Sequence, residues 1–146
     1  MRTFVAAVAL VFSATACSGV SPWQEAWGPD FPQPNSGQAA VYLVRGSAPE
    51  GAPPINLTIG RRPIGGLASN TYYLFDLQPR LYDIRAFGTQ TSSEQIITVA
   101  PGQTRFFQIE ANQIGGTEIL EVSSLDGRRM VRQGQRLPQM AEPPRD

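Results

Sequence analysis

The stretch AAVYLVR (39–45) is apolar at six successive positions and ends on Arg45. Its Val and Tyr side chains are among those favoured in β-strands. Successive side chains of a strand point to opposite faces, so a strand that is apolar throughout needs cover on both faces. The stretch therefore predicts a strand at the centre of a buried sheet.

Downstream of this strand, short β-branched and aromatic segments alternate with turns that contain Gly or Pro. The other predicted strands are INLTI (55–59), a return strand in GRRPIGGL (60–67), TYYLFDL (71–77), LYDIRAF (81–87), EQIITV (94–99), TRFFQIEA (104–111) and TEILEVS (117–123). Turn signals at intervals of about eight to twelve residues are typical of sandwiches and barrels. The segment 38–124 is therefore predicted to be one all-β domain, an antiparallel β-sandwich of about seven or eight short strands.

Strand alternation also predicts which side chains enter the core. In TRFFQIEA, Phe107 and Ile109 share a face and are expected to point inward. In the following strand, Leu120 and Val122 are expected in the core, with Ile119 facing outward.

The turn Gln78-Pro79-Arg80 separates two of these strands and predicts a hairpin. Pro79 presets the φ angle that the second position of a type I turn requires. An even loop centred on this turn places Asp76 opposite Asp83, and adjacent carboxylates are able to chelate Ca²⁺ or share a proton. The alternative is that neighbouring arginines neutralise both carboxylates at a solvated edge. The pair is thus a weak candidate for a metal site, and no firm metal site is predicted.

Three tyrosines are the candidate ligand-binding residues: Tyr72, Tyr73 and Tyr82. Their rings are able to line a groove for a sugar or another small ligand, since an aromatic face combines apolar area with a polar tip. The alternative is that the rings belong to the core of a small β domain.

Composition restricts the chemistry. Each of the 12 basic residues is Arg, so the chain has neither Lys nor His. The usual general base near neutral pH, imidazole metal ligands and Schiff-base chemistry are therefore excluded. Twelve acidic residues balance the 12 basic ones, so no strong field attracts nucleic acid. We expect no catalytic residue, no cofactor and no nucleic-acid partner.

Residues 1–16 have the parts of a secretory signal peptide: basic Arg2, an apolar run and a small-residue exit, Ala-Thr-Ala (14–16). The apolar run is about ten residues long, whereas a membrane-spanning helix needs about 20. Small residues ahead of Cys17 suit the bacterial lipoprotein peptidase, and ordinary signal peptidase would cut the same bond.

Cys17 is the only cysteine of the chain, so no intrachain disulfide is possible. A lone thiol in an oxidising envelope is prone to pair with another chain, and lipidation removes that liability. We therefore expect a lipidated Cys17 that holds the protein on the membrane; the alternative is a soluble exported protein with an incidental thiol. Ser18 follows the cysteine and favours an outer-membrane lipoprotein that faces the periplasm.

The segments on either side of the sandwich are predicted to be irregular. Residues 17–37 are rich in Pro, Gly, Ser, Asn and Gln, which is typical of a flexible linker. Its aromatic side chains either pack on the domain, rest at the lipid interface or dock a partner; they are Trp23, Trp27 and Phe31. Residues 125–146 are predicted to form a short helix or a disordered C-terminal tail. An arginine cluster in this tail is alternatively able to touch anionic lipid or an acidic partner.

The order of segments resembles a family of small bacterial lipoproteins that share domain of unknown function 2846. The resemblance rests on VYLVR (41–45), IGRRPIGGL (59–67), YYLFDLQPRLYDI (72–84) and VAPGQTRFFQI (99–109). It implies a PEGA-like or transthyretin-like β-sandwich and a lipoprotein, and it implies no known activity.

Taken together, these features favour an exported, lipid-anchored envelope module that acts as a non-enzymatic binding or accessory protein. The expected partners are the membrane, through the lipid on Cys17, and another envelope protein. A glycan or small-ligand binder that uses an aromatic groove is the alternative. A hydrolase that uses Asp76 and Asp83 is a further, weaker one.

Lipidation of Cys17 is testable by metabolic labelling. Growth with labelled palmitate should label the protein, because lipoprotein processing attaches acyl chains at the cysteine. A Cys17→Ser variant should stay unlabelled, while label on that variant would contradict the hypothesis. An unlabelled wild-type chain would favour the soluble alternative.

Overall fold

The computed structural model of the protein describes residues 31–139. The strands in this range are β1 (Ala39–Arg45), β2 (Ile55–Ile59), β3 (Arg62–Leu67), β4 (Thr71–Leu77), β5 (Leu81–Phe87), β6 (Ser92–Thr98), β7 (Thr104–Ala111), β8 (Thr117–Val122) and β9 (Gln135–Arg136), with the helix α1 (Ser124–Gln133) between β8 and β9. The predicted signal peptide, Cys17, Trp23, Trp27 and residues 140–146 lie outside the described residues.

The strands form two packed sheets, which confirms the predicted β-sandwich. The five-stranded sheet has the order β8-β7-β1-β4-β9, and the four-stranded sheet has the order β3-β2-β5-β6. Most neighbours are antiparallel, but β1 runs parallel to β7 and β4 runs parallel to β9. The stretch 39–45 is the middle strand of its sheet, as its apolar character predicts.

The main core lies between the two sheets. Val41 and Leu43 of β1 enter it from the five-stranded sheet, and both are fully buried. Phe107 and Ile109 enter it from β7, as predicted from alternation. The four-stranded sheet contributes Ile55, Leu57, Ile64, Leu67, Tyr82, Ile84, Ala86 and Ile97.

A second, smaller core lies on the other face of the five-stranded sheet. Tyr42 and Val44 of β1 point to this face, where α1 covers them together with Phe31. The Phe31 ring lies 5.8 Å from the Tyr42 ring, and the Arg128 guanidinium carbon lies 4.6 Å from the Phe31 ring centre. The five-stranded sheet is therefore the middle of three layers, and Phe31 packs on the domain rather than extending away from it.

The predicted tail contributes a helix and a strand to this layer. The Ser123 side-chain oxygen accepts a hydrogen bond from the Asp126 backbone N–H at 3.1 Å, which is the N-cap interaction that starts α1. After α1, β9 pairs with Thr71 and Tyr72 of β4. Leu137 then packs against the main core. The short-helix alternative is thus the observed one over Ser124–Gln133.

The predicted orientation of β8 is wrong for two residues. Ile119 is buried in the main core, whereas Leu120 is 41% exposed on the outer face. Directly opposed residues of antiparallel strands share a face. Ile119 lies opposite Ile109, which points inward, so Ile119 must point inward as well. Val122 is half-buried and packs in the smaller core.

The predicted hairpin between β4 and β5 is also wrong. The two strands belong to different sheets, so Gln78-Pro79-Arg80 crosses from one sheet to the other. Asp76 lies opposite Ala40 of β1, and Asp83 lies opposite Ile96 of β6.

Within residues 31–139, no helix has both the length and the apolar character that crossing a bilayer requires.

The contact between α1 and β7 is tight enough to test. Gly127 is buried in α1, and a Cβ atom built on it overlaps the Phe106 ring. Gly127→Ala should therefore lower the free energy of unfolding by about 1–3 kcal/mol through overpacking, although Ala is the better helix former. Urea unfolding measures this change.

The matched control for that substitution is Gln133→Ala, at an exposed position of the same helix. Its free energy of unfolding should stay within about 0.5 kcal/mol of the wild type. A stabilised Gly127→Ala variant would show that the helix does not pack on Phe106 at this distance.

Candidate functional site

A cavity of about 750 Å³ opens at one end of the sandwich. It lies between the β2–β3 turn, Gly60 and Arg61, and the crossover at residues 78–80 that leads from β4 to β5. Its lining residues are Gln38, Ile59, Gly60, Arg61, Arg62, Ile64, Phe75, Asp76, Leu77, Gln78, Arg80, Leu81, Tyr82 and Asp83.

The floor of the cavity is apolar and partly aromatic. Phe75, Tyr82 and Ile64 are buried and come from β4, β5 and β3 respectively. Strand alternation turns each of them toward the space between the sheets. The Tyr82 hydroxyl donates a hydrogen bond to the Gln78 carbonyl at 3.0 Å, which fixes the ring against the crossover.

Three arginines line the rim of the cavity, and all three are exposed. Arg61 and Arg62 follow Gly60, whose φ of +59° is the left-handed conformation that glycine adopts without strain. Arg80 lies on the crossover, and its guanidinium carbon is 4.8 Å from the centre of the Tyr82 ring. Stacking of this kind holds a guanidinium flat on an aromatic face and leaves its edge donors available.

Both candidate carboxylates line the same cavity, but they do not form the predicted cross-strand pair. The Asp76 carboxylate accepts a hydrogen bond from the Asn35 amide at 2.9 Å. The Asp83 carboxylate forms an ion pair with Arg85 at 2.9 Å. Arg85 also lies 3.4 Å from Glu94, and its hydrogen bond with Asp83 raises the pKa of the guanidinium. Among the described residues, no group of three or more Asp, Glu, Cys or His side chains is placed to hold a metal ion.

The structure does not bring Tyr72, Tyr73 and Tyr82 together in one groove; their rings pack in the two cores, which is the alternative stated above. Tyr72 packs in the smaller core, on the α1 side of its sheet. Tyr73 is buried in the main core, and its hydroxyl donates to the Gly66 carbonyl at 3.3 Å. Only Tyr82 of these three tyrosines lines the cavity.

The outer face of the four-stranded sheet is the second candidate surface. α1 lies against β1, β7 and β9 of the other sheet. Leu81 and Ile96 are 62% and 57% exposed on this outer face, and Phe87 is 41% exposed at its far end. Asp83, Arg85 and Glu94 lie between them, because Arg85 is opposite Glu94 and Asp83 is opposite Ile96. We call this set of six side chains the uncovered face.

Sequence reasoning missed the role of Arg45. The residue is 4% exposed, and its guanidinium donates hydrogen bonds to the Pro53 carbonyl at 2.8 Å and the Leu67 carbonyl at 2.9 Å. Burial lowers the pKa of this guanidinium. Arg45 thus ties the loop after β1 to the end of β3, beside a smaller cavity of about 280 Å³. The sequence did contain a signal for this role: a charged residue, Arg45, directly follows six apolar residues of the same strand.

The charged groups that line the large cavity are guanidinium groups and two carboxylates. Asn35 donates to the Asp76 carboxylate, and Arg85 pairs with the Asp83 carboxylate. Comparison of the chain with protein-family models and with curated proteins finds no match. The function proposed below therefore depends on the residues and geometry of this chain alone.

The hydroxyl of Tyr82 offers a direct test of how the cavity is held. Tyr82→Phe should lower the free energy of unfolding by about 0.5–1.5 kcal/mol, the usual net value of one hydrogen bond. Tyr72→Phe is the control, since the Tyr72 hydroxyl makes no hydrogen bond within residues 31–139. Equal effects in the two variants would mean that the bond to Gln78 does not stabilise the crossover.

Proposed function

We propose that this chain is an exported, lipid-anchored and non-enzymatic binding module of the bacterial cell envelope. Lipid on Cys17 would hold it at the outer membrane, facing the periplasm. The apolar N-terminal run, the small residues before Cys17 and the absence of other cysteines support this placement. Two or more acyl chains give a stable anchor, whereas one gives marginal binding.

The outer faces of the two sheets are covered to different extents, and this difference supports the binding of a partner protein. On the outer face of the five-stranded sheet, α1 and Phe31 bury Tyr42, Val44, Leu74 and Phe106, although Leu120 stays 41% exposed at the β8 edge. The uncovered face keeps three large apolar side chains in solvent, with Leu81 and Ile96 more than half exposed. Exposed apolar side chains rimmed by charged groups are typical of protein–protein interfaces.

Charge on the uncovered face indicates the chemistry of the partner. Two carboxylates, of Asp83 and Glu94, share one guanidinium, that of Arg85. The strip therefore carries one negative charge more than positive charge, between apolar side chains. A complementary partner protein presents apolar side chains on either side of an Arg or Lys.

The middle of the edge strand β6 adds a second means of contact, while its ends are engaged: the Ser93 N–H donates to the Thr117 hydroxyl and the Thr98 carbonyl accepts from Arg105. In the described range β6 pairs with β5 alone, and it forms one edge of its sheet. A segment of the partner is able to extend the sheet there by backbone hydrogen bonds. Ile96 belongs to this edge strand, so strand addition and side-chain docking would use the same surface.

Removal of the apolar character at position 96 tests this proposal. Tagged full-length protein is purified from gently solubilised native envelopes, and its partners are quantified by mass spectrometry. Ile96→Glu should lower recovery of a stoichiometric partner at least tenfold, because it places a third carboxylate on an already acidic strip.

The matched control is Leu120→Glu, which introduces the same charge at an exposed leucine of the other sheet. It should leave recovery unchanged. Equal recovery with both variants would contradict docking on the uncovered face, and recovery of only a second copy of this chain would reassign the face to self-association.

A further inference from the structure

The proposed docking of a partner protein does not account for the large cavity at the end of the sandwich. Its volume of about 750 Å³ lies within the range of sites that enclose a small organic ligand, about 300–1,000 Å³. Ile96, the centre of the uncovered face, is not one of its lining residues. The cavity shares Leu81 and Asp83 with that face, but variants at Ile96 and at the arginines of the cavity test the two proposals separately.

The side chains inside the cavity favour the binding of apolar groups. Phe75, Tyr82 and Ile64 are buried side chains that form its floor, and Ile59 and Leu77 are half-buried beside them. A ligand that enters would remove apolar area from water at about 25 cal/mol per Å². Burial against this surface would contribute favourable binding free energy for an alkyl chain or a ring.

The mouth of the cavity selects for negative charge. Arg62 already has an interaction partner, and the Asp83 carboxylate is paired with Arg85 outside the cavity, which leaves the guanidinium groups of Arg61 and Arg80 against the one carboxylate of Asp76. Guanidinium groups match the paired oxygens of a carboxylate or a phosphate. The excess positive charge therefore lies at the opening, above the apolar floor.

The placement of Arg80 links the two regions. Its guanidinium is stacked on the Tyr82 ring, and that ring is also part of the floor. A ligand group that touches the ring on the cavity side thus comes within reach of the guanidinium at the rim. The ring that would contact an apolar group and the guanidinium that would bind an anion are therefore adjacent in one site.

We propose that this cavity binds an anionic amphiphile, a molecule with one apolar chain or ring and a carboxylate or phosphate at its end. The apolar part lies against Phe75, Tyr82 and Ile64. The anionic end meets Arg61 and Arg80 at the rim, beside Arg62. A free single-chain amphiphile and the head group of a membrane lipid offer the same chemistry, and the experiment separates the two sources.

The probe is octyl phosphate below its micellar concentration, titrated by calorimetry into the full chain carrying Cys17→Ser. Octyl glucoside and octyltrimethylammonium have the same chain with a neutral and a cationic end. Octyl phosphate should bind at least tenfold more tightly than either. Along hexyl, octyl and decyl phosphate, each added methylene should tighten binding about fourfold, which corresponds to about 0.8 kcal/mol per buried CH₂.

Two variants test the site itself. Replacement of Arg61, Arg62 and Arg80 by Gln should abolish the preference for the anionic probe. The control variant replaces Arg129, Arg132 and Arg136 by Gln, which removes the same charge from the α1 side of the molecule. Ile59→Trp, which fills the cavity from its half-buried wall, should weaken binding of octyl phosphate at least tenfold. Thermal unfolding of each variant establishes that it folds.

Three results would overturn the proposal. The first is equal affinity for the three octyl probes, and the second is an anionic preference that survives loss of the rim arginines. The third is binding to phosphatidylglycerol vesicles without binding of free octyl phosphate, which would place the anion-binding surface outside the cavity. Binding of octyl phosphate in solution that phosphatidylglycerol vesicles do not compete away identifies the free amphiphile as the source.

Discussion

Burial of β1 on both of its faces is the constraint from which the rest of the architecture follows. Val41 and Leu43 need one apolar layer and Tyr42 and Val44 need another, so the sheet that contains them must be the middle layer. The four-stranded sheet covers one face, and α1 with Phe31 covers the other. Within residues 31–139 the helix packs on the five-stranded sheet, and Leu81, Phe87 and Ile96 are exposed on the outer face of the four-stranded sheet.

The crossover from β4 to β5 is the second feature that determines where strands and side chains lie. A hairpin at Gln78-Pro79-Arg80 would have placed the two strands side by side in one sheet. The crossover instead sends them to opposite sheets, and its residues Gln78 and Arg80 line the large cavity. The same three residues thus bring Arg80 to the rim and Tyr82 to the floor. The uncovered face and the cavity both result from how the layers are connected, which is why they share Leu81 and Asp83.

Much of the fold was predictable because strand formation here is a local property. Five of the predicted strands have the observed bounds, among them 39–45, 71–77 and 104–111. The site was much less predictable. Asp76 and Asp83 do line one cavity, but as members of different sheets rather than as opposite residues of a hairpin. Tyr82 lines that cavity, and Tyr72 points to the α1 side of its sheet because adjacent residues of a strand point to opposite faces. Tyr73 shares the inner face with Phe75, but it lies farther along the core, where its hydroxyl donates to the Gly66 carbonyl.

The positions of most strands, the central place of 39–45 and the lack of imidazole and lysine chemistry can be read from the sequence alone. These properties follow from alternation, turn residues and composition, all of which act over a few residues. The sheet that each strand joins and the face that it buries depend on the packing of the whole domain. Ile119 and Leu120 are both apolar, and pairing with Ile109 alone determines that Ile119 enters the core. Such pairings join residues distant in the chain, so no local pattern specifies them.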